Sequence, residues 1–116
     1  ALGPELPALF GTREETVDAL LRHGRRIADP LWPMPLWGGY DDDIASKIAD
    51  VNNASNSTYA GAIIGGLFLK RFVTQSKDWL HVDLFGWNPK DRPGRPVGAE
   101  PQAVRALYAL LAERYG

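Results

Sequence analysis

Residues 79–85 read Trp79-Leu80-His81-Val82-Asp83-Leu84-Phe85. Leu80, Val82 and Leu84 alternate with Trp79, His81, Asp83 and Phe85, the period of two at which successive strand side chains leave opposite faces. Neither set is uniformly polar, so the sequence predicts a strand largely buried on both sides. Immediately upstream, residues 59–73 (YAGAIIGGLFLKRFV) are apolar over most of their length and basic at the end. The run is too short to span a membrane and reads as a buried helix. Gly61, Gly65 and Gly66 each weaken that helix by up to about 1 kcal/mol relative to alanine, which predicts close approach of a neighbouring backbone. Downstream, Gly86–Pro101 carries repeated prolines and glycines and reads as a functional or interface loop, because structureless connections of that length are uncommon in compact domains. Pro101 then suits the first turn of a C-terminal helix with Val104, Leu107, Tyr108, Leu111 and Tyr115 on one apolar stripe.

The N-terminal part adds a further helix. Thr12 and Glu15 have capping-box spacing, and Val17, Leu20, Leu21, Gly24 and Ile27 recur at helical intervals, predicting a helix over 12–28. Arg22, Arg25 and Arg26 oppose the negative end of its dipole, and Pro30 stops it. In residues 31–39, LWPMPLWGG, Pro33 and Pro35 argue against a central strand and leave an edge strand open. Its two tryptophans call for a partner surface.

These elements make an α/β chain. One strong strand cannot form a sheet alone, so the missing strands are expected elsewhere. With 116 residues, 45% of them apolar and 23% charged, the chain can bury a real core and is neither disordered nor fibrous in composition. Thirteen basic against fourteen acidic residues, with no dense Lys/Arg cluster, argue against nucleic-acid or other polyanionic partners. The absence of cysteine excludes disulfides, thiolate metal sites and a cysteine nucleophile. The opening ALGPELPALFGTREE has neither a basic leader nor a continuous apolar core of a signal peptide, so a cytoplasmic location is expected. Its first residues suit a chain cut from something longer. Asn53-Ala54-Ser55 and Asn56-Ser57-Thr58 match the glycosylation pattern, one common by chance and relevant only to secreted proteins.

Polar clusters admit sharper and blander readings. Asp41-Asp42-Asp43 could hold a hard divalent cation, but adjacent aspartates diverge and acidic residues commonly open a helix. His81 and Asp83 share a strand face and could hold a metal or act as an acid/base pair; a mutually satisfied buried pair is the commoner outcome. The amides and hydroxyls of NNASNST, residues 52–58, suit a turn or a ligand. No GxSxG, HExxH, Walker or dinucleotide glycine pattern occurs.

The order ADVNNAS, YAGAIIGGLFLKRFV, WLHVDLFGWN and VRALYALL resembles the end of the leucyl (cytosol) aminopeptidase family. Ser46, Ala49, Asp50, Asn52, Gly61, Ala62, Phe68, Leu69, Phe72, Val73, Trp79, His81, Asp83, Gly86, Val104, Arg105 and Leu107 fall in register with the family pattern. The resemblance implies that residues 1–116 are a C-terminal fragment of the catalytic domain, the incomplete end of a mixed-sheet, zinc-exopeptidase-like α/β domain with helices on both faces. It implies a parent that removes N-terminal residues from peptides with two divalent metal ions (zinc, manganese or magnesium), in a homo-hexamer. The family's metal ligands and catalytic arginine and lysine precede this stretch, so the resemblance carries over no catalytic or metal residue, and the fragment is expected to bind no metal and to be inactive alone.

What the resemblance does carry over is pocket lining. Phe85 and Asn88 match positions around the substrate's first side chain, and Ala54 matches a wall for the departing residues. Alanine is the commoner family residue at position 85, and the usual G-A-T-G before V-R is replaced here by V-G-A-E-P-Q-A. A bulky Phe85 would narrow the pocket, with Trp87 contributing to the same change. Two alternatives stand beside this reading: a noncatalytic binding or assembly protein on the same fold, and a self-sufficient metal site of Asp42, His81 and Asp83.

Overall fold

The computed structural model describes residues 1–42, 44 and 59–116. Its elements run β1 (Ala8–Gly11), α1 (Glu14–Arg26), β2 (Trp32–Pro33), a 3-10 turn (Gly38–Tyr40), α2 (Gly61–Lys70), β3 (Leu80–Asp83), β4 (Trp87–Asn88), β5 (Gly98–Ala99) and α3 (Val104–Tyr115). Three strands form a mixed sheet in the order β2-β1-β3. The partner of the 79–85 strand is therefore in this chain: β1 pairs antiparallel with β3, setting Leu9 opposite Val82 and Phe10 opposite His81. Sequence reading missed β1 because Ala8-Leu9-Phe10 is too short an apolar run, between Pro7 and Gly11, to show a period.

β2 occupies the edge that its prolines permit. Trp32 N–H donates to Pro7 O at 3.0 Å and Met34 N–H to Leu9 O at 2.8 Å. Pro33 falls between them, at the alternate position whose missing N–H faces away from β1.

Helices cover both faces of the sheet. On one side Leu9 packs with Leu20 and Leu21 of α1, Leu31, and Ala103, Ala106 and Leu110 at α3, with Leu80 and Val82 alongside. On the other side Phe10, fully buried, lies beneath α2, where a methyl on Gly66 would meet Phe10 Cδ1 at 3.4 Å and Leu36 Cδ2 at 3.3 Å. Ile64 and Leu67 of α2 form a second cluster with Ile44. Among the described residues only Gly66 answers the expected close approach, and it meets side chains rather than backbone; no described atom lies within 4 Å of a methyl placed on Gly61 or Gly65.

Two helix expectations need correction. Thr12 does not cap α1: Arg13 is the N-cap, with no side-chain cap bond. The Thr12 hydroxyl instead donates to Lys77 O at 2.9 Å and accepts from Trp79 N–H at 2.9 Å, fastening the β1 exit to the β3 entry. In α3 the buried positions are Ala106 and Leu110, whereas Val104, Tyr108, Leu111 and Tyr115 are more than half exposed. Ala106 and Leu110, with Leu107 alongside, take the core side against α1, and the two tyrosines stay outside.

Polar ties close the α1–α3 seam. Thr16 donates to Asp78 Oδ2 at 2.8 Å, and Arg114 donates to Asp78 Oδ2 at 3.1 Å and to Thr16 at 2.7 Å. Glu113 meets the buried His23 and, at 3.2 Å, Arg22. The Thr16 hydroxyl, then Arg114, hold the Asp78 carboxyl below its ordinary pKa; His23, then Arg22, do the same for Glu113. In the window just below the ordinary carboxylate value of about 4, the unfolded chain binds more protons than the folded one. This stabilisation is therefore complete above that value and is lost as pH falls through the depressed folded values. Asp78→Asn is expected to flatten the acid limb of melting temperature against pH, and an unchanged limb would assign acid sensitivity to other carboxylates.

Candidate functional site

β3 ends at Asp83, and Leu84, Phe85 and Gly86 carry the chain away from the sheet; Gly86 adopts a positive φ of 72°. That conformation suits glycine because no Cβ opposes it. Phe85 projects from this bend with 62% of its surface exposed. It borders a groove of about 270 Å³ with Leu84, Asp83 and the incoming segment of Leu2, Pro4 and Leu6. Pairing of β1 with β3 brings the first residues of the chain beside Phe85, a neighbourhood that sequence reading did not find.

Asn88 is set differently. It is 1% exposed, and its amide donates to Arg95 O and to Pro96 O at 3.0 Å while accepting from Arg92 Nε at 3.3 Å. All of its side-chain capacity is turned into the stretch that sequence reading took for an irregular loop. That stretch contains a short hairpin, with Trp87 opposite Ala99 and Asn88 opposite Gly98. Its tip is Arg92-Pro93-Gly94-Arg95, where Arg95 N–H donates to Arg92 O at 2.8 Å and Gly94 has φ 71°. Proline followed by a positive-φ glycine is the signature of a type II turn, a signal legible in the sequence. Gln102 clasps the hairpin base to the groove, accepting from Gly86 N–H at 3.0 Å and donating to Pro4 O at 2.7 Å.

Ala54 lies outside the described residues, as do Asp43 and the NNASNST segment. Asp41 and Asp42 are exposed and helical. His81 is half-buried, stacked on Phe10 at 5.7 Å and Trp79 at 6.0 Å, while Asp83 is exposed. The two therefore do not form the buried polar pair expected from their spacing. Among the described residues no three His, Cys, Asp or Glu side chains gather closely enough to hold a metal ion, so Asp42, His81 and Asp83 do not make the self-sufficient site. Also among the described residues, no helix is long and apolar enough to cross a membrane.

A mixed sheet layered between helices, with an aromatic side chain standing at the exit of its antiparallel strand, defines an α/β unit that contributes a groove wall. The chain belongs to the cytosol aminopeptidase family, whose catalytic-domain model matches residues 1–108. Among curated relatives, a probable cytosol aminopeptidase of Geobacter sp. (strain M21) is 40% identical over 116 residues, covering 98% of this chain and 23% of that protein. The counterpart from Syntrophobacter fumaroxidans is 38% identical, covering 97% and 23%. A crystal structure of cytosol aminopeptidase from Coxiella burnetii matches the whole chain with TM-score 0.86 and 43% identity, over 25% of its own length. The bottromycin maturation enzyme BotP, solved in complex with Mn, shares the fold with TM-score 0.82 at 22% identity. The chain thus spans about a quarter of the length of the relatives it matches.

Proposed function

We propose that residues 1–116 are the C-terminal fragment of the catalytic domain of a cytoplasmic, metal-dependent aminopeptidase that releases N-terminal residues from peptides. The rest of the protein supplies the ligands for two divalent ions (manganese, zinc or magnesium) and the catalytic groups, and the whole assembles as a homo-hexamer. This chain contributes packing and pocket lining: Phe85 beside the substrate's first side chain, Asn88 by fixing the hairpin behind it, and Ala54 beside the departing residues. Paired metals of this kind activate water and stabilise the developing oxyanion. The fragment alone is inactive because those ligands are not among its residues.

The exposed Phe85 at the groove carries this reading. A phenyl ring where alanine is usual removes space for large first side chains. Phe85→Ala in the full-length protein is expected to raise kcat/KM for bulky aminoacyl anilides over small ones by about tenfold to a hundredfold, since each methylene of fit is worth about 1–3 kcal/mol. Equal change for all substrates would remove Phe85 from the pocket. Cleavage by the 116-residue chain alone, with added manganese or zinc, would overturn the assignment of catalysis to the rest of the protein.

A further inference from the structure

A cavity of about 540 Å³ lies between the end of α1, the segment entering β1 and the hairpin, and Arg25, Arg92 and Arg95 all line it. Most other polar groups there are committed. Asp29 gives its two oxygens to the amides of Ala103 and Ala106, and Gln102 joins Gly86 to Pro4. Arg95 donates to Glu100 and to Ala28 O. Two guanidinium groups are left with spare donors. Arg92 spends Nε on Asn88 and reaches Glu5, the other carboxylate of the wall, only at 3.7 Å, beyond hydrogen-bond range. Arg25 has no hydrogen-bond partner among the described residues.

We propose that this cavity binds a small anion presenting carboxylate or phosphate oxygens, held by the Arg25 and Arg92 guanidinium groups. The planar fork of a guanidinium matches the paired oxygens of either group. The volume falls within the range of small-molecule sites, about 300–1,000 Å³. Arg95 forms the floor: its bonds to Glu100 and Ala28 O fix the hairpin against the end of α1, so the cavity exists before a ligand arrives. Glu5 is the counter-charge that an entering anion displaces.

The test is calorimetric titration of the full-length protein, freed of its divalent ions, with inorganic phosphate and, separately, citrate, at constant ionic strength in chloride. Saturable one-site binding of at least one probe is expected, weakened about tenfold or more by Arg25→Gln and by Arg92→Gln. The tighter probe tells phosphate from carboxylate as the oxygen source. Arg25 is exposed on α1, so its substitution leaves the fold intact and decides the matter even if Arg92→Gln disturbs the hairpin through Asn88. No saturable binding of either probe, or binding unchanged in Arg25→Gln, would overturn the proposal.

Discussion

Replacing Asp29 with alanine is expected to lower the unfolding free energy by about 2–4 kcal/mol, because α3 has no cap of its own. Its N-cap is Ala103, held at a left-handed φ of 68° with no side-chain cap bond. The service comes from 74 residues upstream, where the Asp29 Oδ1 accepts from Ala103 N–H at 3.1 Å and Oδ2 from Ala106 N–H at 3.0 Å. Asp29, Ala103 and Ala106 are all at most 2% exposed, so truncation leaves two buried amides without their acceptor. The same carboxylate also places negative charge at the positive end of the helix dipole. Asp29→Asn keeps one acceptor oxygen and is expected to fall between the parent and the alanine variant. Urea unfolding measures the loss, and hydrogen exchange at Ala103 and Ala106 locates it. An alanine variant within about 0.5 kcal/mol of the parent would mean that α3 is held by packing alone.

That long-range cap explains part of what the sequence hid. Helices α1 and α3 were legible because each carries a periodic apolar stripe, α2 because it is a long apolar run, and β3 because its alternation runs for several residues. The partners of those elements were not. β1 is an apolar triplet between proline and glycine, and it becomes the middle of the sheet only because α1 and α2 cover its two faces with Leu20 and Gly66. Thr12 and Glu15 have capping-box spacing, yet Thr12 bonds across the fold to Lys77 and Trp79, a choice that local sequence cannot encode. The stripe Val104, Leu107, Tyr108, Leu111 and Tyr115 is periodic, but period alone cannot say which edge of a stripe faces the core. Packing against α1 turned Leu107 inward with Ala106 and Leu110 and left the other four outside.

The candidate site divides in the same way. Phe85 was singled out through resemblance, and it stands exposed at the groove. What the groove is made of was not legible, since its far wall is the first few residues of the chain, brought there by β1–β3 pairing. The side chain of Asn88 is consumed by the hairpin, so any influence on a substrate passes through the backbone it fixes.

Phe10→Ala is expected to cost about 3–5 kcal/mol, because its ring fills the space between the sheet and Gly66 of α2. Phe10 is 0% exposed, stacks on His81 across the β1–β3 pair, and presents its ring to Gly66. Truncation would leave a ring-sized void bounded by α2 on one side and a strand on the other. The strand cannot close in without breaking the hydrogen bonds between β1 and β3. A double-mutant cycle tests the contact rather than the burial. Gly66→Ala alone places a methyl 3.3–3.4 Å from Leu36 and Phe10, tight enough to cancel the roughly 1 kcal/mol that alanine gains over glycine in a helix. In a Phe10→Leu background the ring edge is gone, so the same methyl should recover that gain and fill part of the void. A coupling energy of about 0.5–3 kcal/mol in the favourable direction is expected from chemical denaturation of the four variants. Strict additivity would mean that α2 does not rest on Phe10, and the cover on this face of the sheet would have to be sought in Leu36 and the Ile44 cluster instead.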